Sequence, residues 1–132
     1  MDDNELDEMI KKFVRECEEK NLNGIAAVAK QDNQKSHIGI SSNYLKGVFL
    51  LRSIFQRMQE ATGVSSTMLA THLALTMAIL DIDATRTEPL EKVDSEILEK
   101  AAKKVEQCID IHVAQARLEE ARQFMTASPI LQ

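Results

Sequence analysis

Apolar residues recur every three or four positions over residues 3–20, and charged residues fill most of the positions between them. This spacing gathers the apolar side chains on one side and predicts an amphipathic α-helix over residues 3–20. Acidic residues crowd its first turn, where the helix dipole stabilises negative charge. Residues 21–24 offer Asn and Gly, which readily end a helix in the left-handed conformation. The apolar positions are Leu6, Met9, Ile10, Phe13, Val14 and Cys17.

Two short segments rich in apolar residues follow, at 24–30 and 36–41, with the polar residues 31–35 between them. This pattern predicts a β-hairpin over residues 24–41. A two-stranded hairpin alone is only marginally stable in water. We therefore expect it to lie on a helix or to pair with strands from another subunit.

A pair of helices is predicted next, over residues 44–61 and 66–81. Residues 41–43 are good caps for the first helix, and Gly63 is a good stop. The second helix contains no Asp, Glu, Lys or Arg over residues 66–80. A helix that is apolar nearly all round is buried on all sides, so we expect either a central core helix or a subunit interface. The predicted interface residues are Met68, Leu69, Leu73, Leu75 and Met77.

The remaining sequence predicts one long helix, or two helices, over residues 88–125. Its start is marked by Glu88 and Pro89, because proline is tolerated in the first turn of a helix. A continuous helix from residue 90 onward would be ~50 Å long, whereas a globular chain of this size has a radius of gyration of ~14 Å. We therefore expect either a break near residue 110 or a helical partner from another chain.

The composition fits one soluble domain over residues 1–132 with an α+β, predominantly helical fold. Of the 132 residues, 44% are hydrophobic and 28% are charged, which is enough apolar material for a core. The sequence has no apolar run long enough to span a membrane and no signal-peptide pattern. Two cysteines are too few for a disulfide framework. We expect a cytoplasmic homo-oligomer without membrane contact.

The charge distribution argues against nucleic-acid binding. The net charge is −5, yet residues 24–80 hold five basic residues against two acidic ones, a local net charge of +3. The two ends are therefore strongly acidic. An acidic surface repels phosphates, and no dense cluster of Lys and Arg with aromatic residues is present. A small anion near the central stretch is compatible with this distribution.

The best candidate for such an anion site is the junction between the hairpin and the helix that follows it. A helix N-terminus offers free backbone N–H groups and the positive end of the dipole. Ordinary helix capping with solvated lysines explains the same residues, and this alternative stays open. The candidate residues are Lys35, His37, Ser42, Asn43, Tyr44 and Lys46.

Signals for metal binding and catalysis are weak. Cys108 and His112 lie four residues apart, a spacing that places two metal ligands on one helix face. Two ligands do not make a site, so we expect Cys17 and Cys108 to pack in the core, with the polar groups of His112 satisfied nearby. The sequence has no nucleophile elbow and no glycine-rich phosphate loop. It therefore predicts a protein that is not an enzyme and holds no cofactor.

Residues 59–69 have the glycine turn and serine cap of a helix-turn-helix motif. The second helix of such a motif has to meet phosphates and base edges. Residues 66–80 offer no Arg, Lys, Asn or Gln for this purpose. A helical hairpin explains the segment better than a DNA-binding motif, which we keep as a third functional hypothesis.

The stretch NGIAAVAKQDN at residues 23–33, continued through Tyr44 and Leu45 to two helices, resembles small uncharacterised proteins from phage and prophage gene clusters. The resemblance covers about half the chain and defines no binding or catalytic residue. It implies a non-enzymatic accessory protein.

Two main functional hypotheses follow. The first is a small, oligomeric, non-catalytic interaction protein, such as a phage-related inhibitor, that presents its surface to another protein. The alternative is a binding protein for a small anion, such as a nucleotide or a phosphorylated signal.

Overall fold

A computed structural model describes residues 1–32 and 35–127 of the chain. The fold is α+β, with four α-helices and a two-stranded antiparallel sheet, and 71% of the described residues are helical. The chain divides into an N-terminal unit, Met1–Ser66, and a C-terminal unit, Thr67–Gln132. The α+β, mostly helical prediction is confirmed. The single domain over residues 1–132 stays a prediction.

Helix α1 (Asp3–Glu19) has a reciprocal cap at its start and a left-handed residue after its end. The backbone N–H of Glu5 donates to Asp2 Oδ1 over 2.8 Å, and the backbone N–H of Asp2 donates to Glu5 Oε1 over 3.4 Å. This capping box satisfies donors that the first helical turn leaves free. Asn21 has a φ of 54° and ends the helix, as the sequence predicts. The buried residues are Leu6, Ile10 and Cys17.

Strands β1 (Gly24–Ala29) and β2 (Ser36–Ser41) form the predicted hairpin. Their antiparallel register places Gly24 opposite Ser41 and Ala29 opposite Ser36. Of the predicted loop, residues 33 and 34 lie outside the described part of the chain.

Helix α1 covers one face of this hairpin, and two glycines make the close approach possible. A Cβ atom on Gly39 would lie 2.6 Å from Ile10 Cγ2, and one on Gly24 would lie 2.7 Å from Phe13 Cζ. Neither position has space for a side chain. The expected support of the hairpin by a helix is therefore present within the N-terminal unit.

The opposite face of the hairpin is apolar, and α1 does not cover it. The register places Ile25 opposite Ile40 and Ala27 opposite Ile38 on this face. Ile38 and Ile40 are 59% and 60% exposed. The β2 part of this face therefore lacks the apolar contacts that normally stabilise a β-sheet.

Helix α2 (Tyr44–Thr62) begins at an asparagine cap and ends at a glycine. Asn43 Oδ1 accepts the backbone N–H of Lys46 over 2.9 Å, and Gly63 is left-handed with a φ of 75°. The helix contacts β1, beside an open groove of about 330 Å³. It nevertheless has no buried residue. The residues lining the groove include Phe13, Ile25, Leu50, Ser53, Ile54 and Arg57.

In the C-terminal unit, helices α3 (Ser66–Ile82) and α4 (Ser95–Ala127) pack around Ala78, Ile79 and Ala101. Two of these three buried residues are alanines, so the fully buried part of this contact is small. Half-buried apolar residues complete the cluster, namely Leu75, Leu90, Val93, Ile97, Leu98 and Val105.

The expectation that residues 66–81 form a central core helix is wrong. Ala78 and Ile79 are the buried residues of α3, and the rest of the helix is exposed or half-buried. The physical reason is geometric, since one packed helix covers only one stripe of its neighbour. The other expectation for this helix, a subunit interface, stays a prediction.

The long helix also begins later than the sequence predicts. Residues 88–94 are predicted as helix, but Leu90–Lys92 forms a single 3₁₀ turn, and α4 starts at Ser95. Leu90 and Val93 pack on the core of the unit from either end of this turn. The turn therefore places apolar side chains on the core before α4 begins.

Arg86 holds this connection through three carboxylates. Its Nη1 lies 2.7 Å from Glu88 Oε1, its Nε 3.4 Å from Asp83 Oδ2 and its Nη2 3.7 Å from Asp94 Oδ2. These contacts tie together both ends of the connection between α3 and α4. Side-chain contacts of this kind leave no periodic pattern in the sequence.

Helix α4 is continuous, so the break expected near residue 110 does not occur. Beyond Val105, every residue of the segment 106–126 is exposed. At 1.5 Å per residue this segment, the α4 extension, is ~30 Å long. The second expectation for the long helix, a helical partner from another chain, stays a prediction.

Candidate interaction surfaces

The structure separates the predicted anion-binding residues into two groups. The first lies at the loop end of the hairpin, where His37 is buried and its Nε2 lies 3.4 Å from Asp3 Oδ1. The Nζ of Lys30 lies 3.9 Å from the same carboxylate oxygen. Lys35 directly precedes β2 and is exposed. The carboxylate of Asp3 offsets positive charge at this end of the hairpin.

The second group lies at the start of α2 and forms an ordinary helix cap. The Asn43 side chain accepts the Lys46 backbone N–H, and Ser42 Oγ donates to the Asn43 carbonyl over 3.1 Å. One donor of the first turn is therefore already occupied. Tyr44 is 76% exposed.

The two groups lie at opposite ends of β2. His37 and Ser42 are five residues apart along extended backbone, a separation of ~16 Å. A single chain therefore does not bring the six predicted residues together. Anion binding stays a prediction.

Cys108 and His112 lie on the α4 extension, and both are exposed. The expectation that Cys108 packs in the core with His112 beside it is wrong, because α4 extends beyond the cluster around Ala101. Cys17, by contrast, is one of the buried residues of α1, as expected. Among the residues that the structure describes, no three His, Cys, Asp or Glu side chains are grouped to hold a metal ion.

The predicted interface residues of α3 differ in their surroundings. Met68, Leu73 and Met77 are exposed, and Leu69 is half-buried. Leu75 packs against the core of the C-terminal unit, so it does not belong to a free surface of α3. That the other four residues lie in a subunit interface stays a prediction.

A second apolar surface lies on α2, and its residues are not among the interface residues predicted from the sequence. Five apolar side chains follow each other at alternating intervals of four and three residues. This is the spacing of a helix–helix seam. The signal was present in the sequence, but a stripe of this kind also forms the buried face of a core helix. The residues of this α2 stripe are Tyr44, Val48, Leu51, Phe55 and Met58.

The α4 extension carries a third apolar surface with the same spacing. Leu118 is 56% exposed and Met125 is 61% exposed. The 3.6-residue period places this α4 stripe on a different side of the helix from Ala101 and Val105, which meet the core. It is therefore not a continuation of the contact with α3. The residues of the α4 stripe are Ile111, Ala114, Leu118, Ala121 and Met125.

Ionisable groups with shifted pKa values have structural roles. The hydroxyl and backbone N–H of Thr85 donate to Asp83 Oδ1 over 2.6 and 3.0 Å, and they lower the pKa of Asp83. On α1, the Nζ of Lys11 donates a hydrogen bond to Asp7 Oδ2 over 3.0 Å, and this bond lowers the pKa of Asp7. The first pair shapes the connection after α3, and the second links successive turns of α1.

In the described part of the chain, no single helix is long and apolar enough to cross a membrane, and α2 and α3 reach that length and composition only when taken together.

Comparisons of the chain with protein-family models, with curated proteins and with solved structures find no match. The resemblance to phage and prophage proteins therefore stays a prediction.

Proposed function

We propose that the protein is a non-catalytic interaction protein that assembles with further copies of itself. In this proposal the assembly presents its polar surface to another protein, as an accessory factor or an inhibitor. The observation that carries the proposal is the apolar surface that each unit leaves exposed.

Helix α2 is the clearest case. It is 19 residues long and has no buried residue, although its α2 stripe consists entirely of apolar side chains. The side of α2 beside the groove, which includes Leu50 and Ile54, is the side near β1. The α2 stripe lies on a different side, where Tyr44 and Leu51 are among the exposed residues. Exposed apolar surface of this extent marks a site of association.

The magnitudes support association through this helix. Full burial of one Leu- or Phe-sized side chain contributes roughly 1.5–3 kcal/mol. Five such side chains are of the same order as the cost of association, about 4–15 kcal/mol. Within the α2 stripe and its immediate flanks, Arg52 is the one charged residue, so like charges do little to oppose contact.

The C-terminal unit supports the same proposal independently. Its exposed apolar residues lie on α3, at Leu73 and Met77, and along the α4 stripe. The buried cluster of this unit consists of three residues, two of them alanines. Helices gain most of their stability from tertiary packing, and the α4 extension is exposed at every residue from 106 to 126.

The test is the molar mass of the protein in solution. We expect sedimentation equilibrium at micromolar concentration to give a mass well above the monomer value of 14.8 kDa. Leu51→Glu places a charge in the α2 stripe and should lower the average mass, while circular dichroism stays unchanged. A wild-type protein that is monomeric throughout this range would overturn the proposal.

Gln56→Glu is the matched control. It adds the same charge to the same helix at an exposed position outside the α2 stripe. We expect it to sediment as the wild type does. If both variants lower the mass equally, the loss reflects net charge and the α2 stripe is not the contact.

A further inference from the structure

Strand β2 is an open sheet edge without the usual protection. The sheet has two strands in the described chain, and α2 contacts β1. One side of β2 therefore presents unpaired backbone N–H and C=O groups. Natural edge strands are protected by charged residues, prolines or bulges. The segment Ser36–Ser41 contains no Asp, Glu, Lys, Arg or Pro, and its register with β1 is unbroken.

We propose that β2 pairs antiparallel with β2 of a second copy of this chain, around a two-fold axis at Gly39. The two hairpins then form one four-stranded sheet. This inference rests on the proposed self-association and names a contact for it. A two-fold contact of this kind closes on itself, since each copy uses the same edge.

The apolar face selects the register. A two-fold axis perpendicular to the sheet keeps each face on its own side, so residues of equal parity oppose each other. With the axis at Gly39, Ile38 of each copy lies opposite Ile40 of the other. With the axis at Ile38, each Ile40 would lie opposite Ser36. The first register places all four isoleucines in apolar cross-strand pairs.

Charge and space are compatible with this pairing. In the chosen register, Lys35 of one copy lies opposite Asn43 of the other, so no like charges oppose each other at the ends of the strands. The centres of the two hairpins lie two strand spacings apart, ~10 Å. Helices pack side by side at 8–10 Å, roughly the same distance. Because α1 lies nearer to β2 than to β1, its two copies are closer together than the hairpin centres and meet side by side on the same face of the sheet.

The pairing also joins the two ends of β2 that a single chain keeps apart. His37 of one copy lies opposite Ser41 of the other, so the hairpin-loop group of one chain meets the α2 cap of its neighbour. The residues predicted from the sequence as one cluster are then shared between two chains.

Disulfide cross-linking tests this register directly. Ile38→Cys and Ile40→Cys are made as separate chains, each with Cys108→Ser to remove the exposed thiol, and are then mixed and oxidised. Directly opposed residues lie about 5 Å apart between Cα atoms, which suits a disulfide. We expect the mixed pair to cross-link at least about tenfold faster than Ala27→Cys, because opposed residues meet disulfide geometry. Ala27 is the control, since it is exposed on the same face but lies on β1.

The outcomes separate the inference from the proposed function. Rapid cross-linking of the mixed pair, together with a mass above the monomer, supports both. A mass above the monomer with cross-linking no faster than for Ala27→Cys overturns the β2 contact and leaves self-association standing. A monomer at every concentration overturns both.

Discussion

Helices α1 and α2 belong to the same unit, differ in length by two residues and each carry an apolar stripe, yet the unit covers only one of them. The stripe of α1 is buried against the hairpin. That of α2 is exposed along most of its length. The difference lies in the surface that each helix meets.

Helix α1 meets a sheet face that contains Gly24 and Gly39, where the absence of side chains leaves room for Ile10 and Phe13. Helix α2 contacts β1 with one side, and its stripe stays largely exposed although the second face of the hairpin is apolar and open. Amphipathic spacing thus predicts that a helix face will be covered. It does not say whether the same chain supplies the cover.

Truncating a side chain should give the largest difference in stability between a change in α1 and a change in α2. Ile10→Ala in α1 removes a buried side chain, and we expect it to lower the free energy of unfolding by about 2–5 kcal/mol. Leu51→Ala in α2 should cost only about 0.5 kcal/mol at concentrations where the chain is monomeric. Urea unfolding followed by circular dichroism measures both. Equal losses would show that α2 is as well covered as α1.

Adding a methyl group should give the next largest contrast. Gly39→Ala brings a Cβ within 2.6 Å of Ile10 and should cost about 1–3 kcal/mol through overpacking. Gly47→Ala in α2 should instead stabilise the protein, by up to about 1 kcal/mol, because alanine is the better helix former. The nearest atom to its new Cβ is the end of the Ser42 side chain, at 3.1 Å. The melting temperatures should therefore shift in opposite directions.

Removing the N-terminal caps should give smaller losses of stability and should affect the first turns of α1 and α2 differently. Asp2→Ala and Asn43→Ala should each cost about 1 kcal/mol. The first turn of α1 should nevertheless stay helical, because Leu6 and Ile10 hold it on the hairpin. The first turn of α2 has no buried residue and should lose helical backbone chemical shifts in NMR spectra. Identical behaviour of both first turns would contradict this expectation.

The smallest effect concerns pH. The hydrogen bond from Lys11 lowers the pKa of Asp7 on α1. Because this pKa is lower in the folded state, the pair stabilises the helix above the ordinary aspartate range, and the contribution is lost as pH falls through the lowered pKa. An NMR titration should show that Lys11→Met returns the pKa of Asp7 toward its ordinary value. A titration curve unchanged by Lys11→Met would mean that this contact does not form in solution.

Much of the fold follows from local chemistry. The helix starts and stops at Asn21, Asn43 and Gly63 are set by capping and left-handed backbone, which individual residues determine. Prediction from the sequence fails where a contact between residues distant in the chain determines the local structure. Pro89 marks a plausible helix start, yet Leu90 and Val93 reach the core from a 3₁₀ turn, and α4 begins after it.

The candidate surfaces were harder to predict for the same reason. A segment without charged residues, such as residues 66–80 of α3, has the same sequence pattern whether its own chain or another chain covers it. The six predicted anion residues are close in sequence, but an extended strand places His37 and Ser42 at opposite ends. Closeness in sequence indicates closeness in space along a helix far better than along a strand.

The α4 extension would link folding to concentration in the proposed assembly. Its residues 106–126 are all exposed, so in an isolated molecule its helical structure depends largely on propensity and on the packed turns before it. Amide hydrogens in residues 106–126 should then exchange with solvent much faster than those near Ala101. A partner helix would slow their exchange and raise the helix content together. In the proposed assembly, dilution would therefore act on this segment as a mild denaturant.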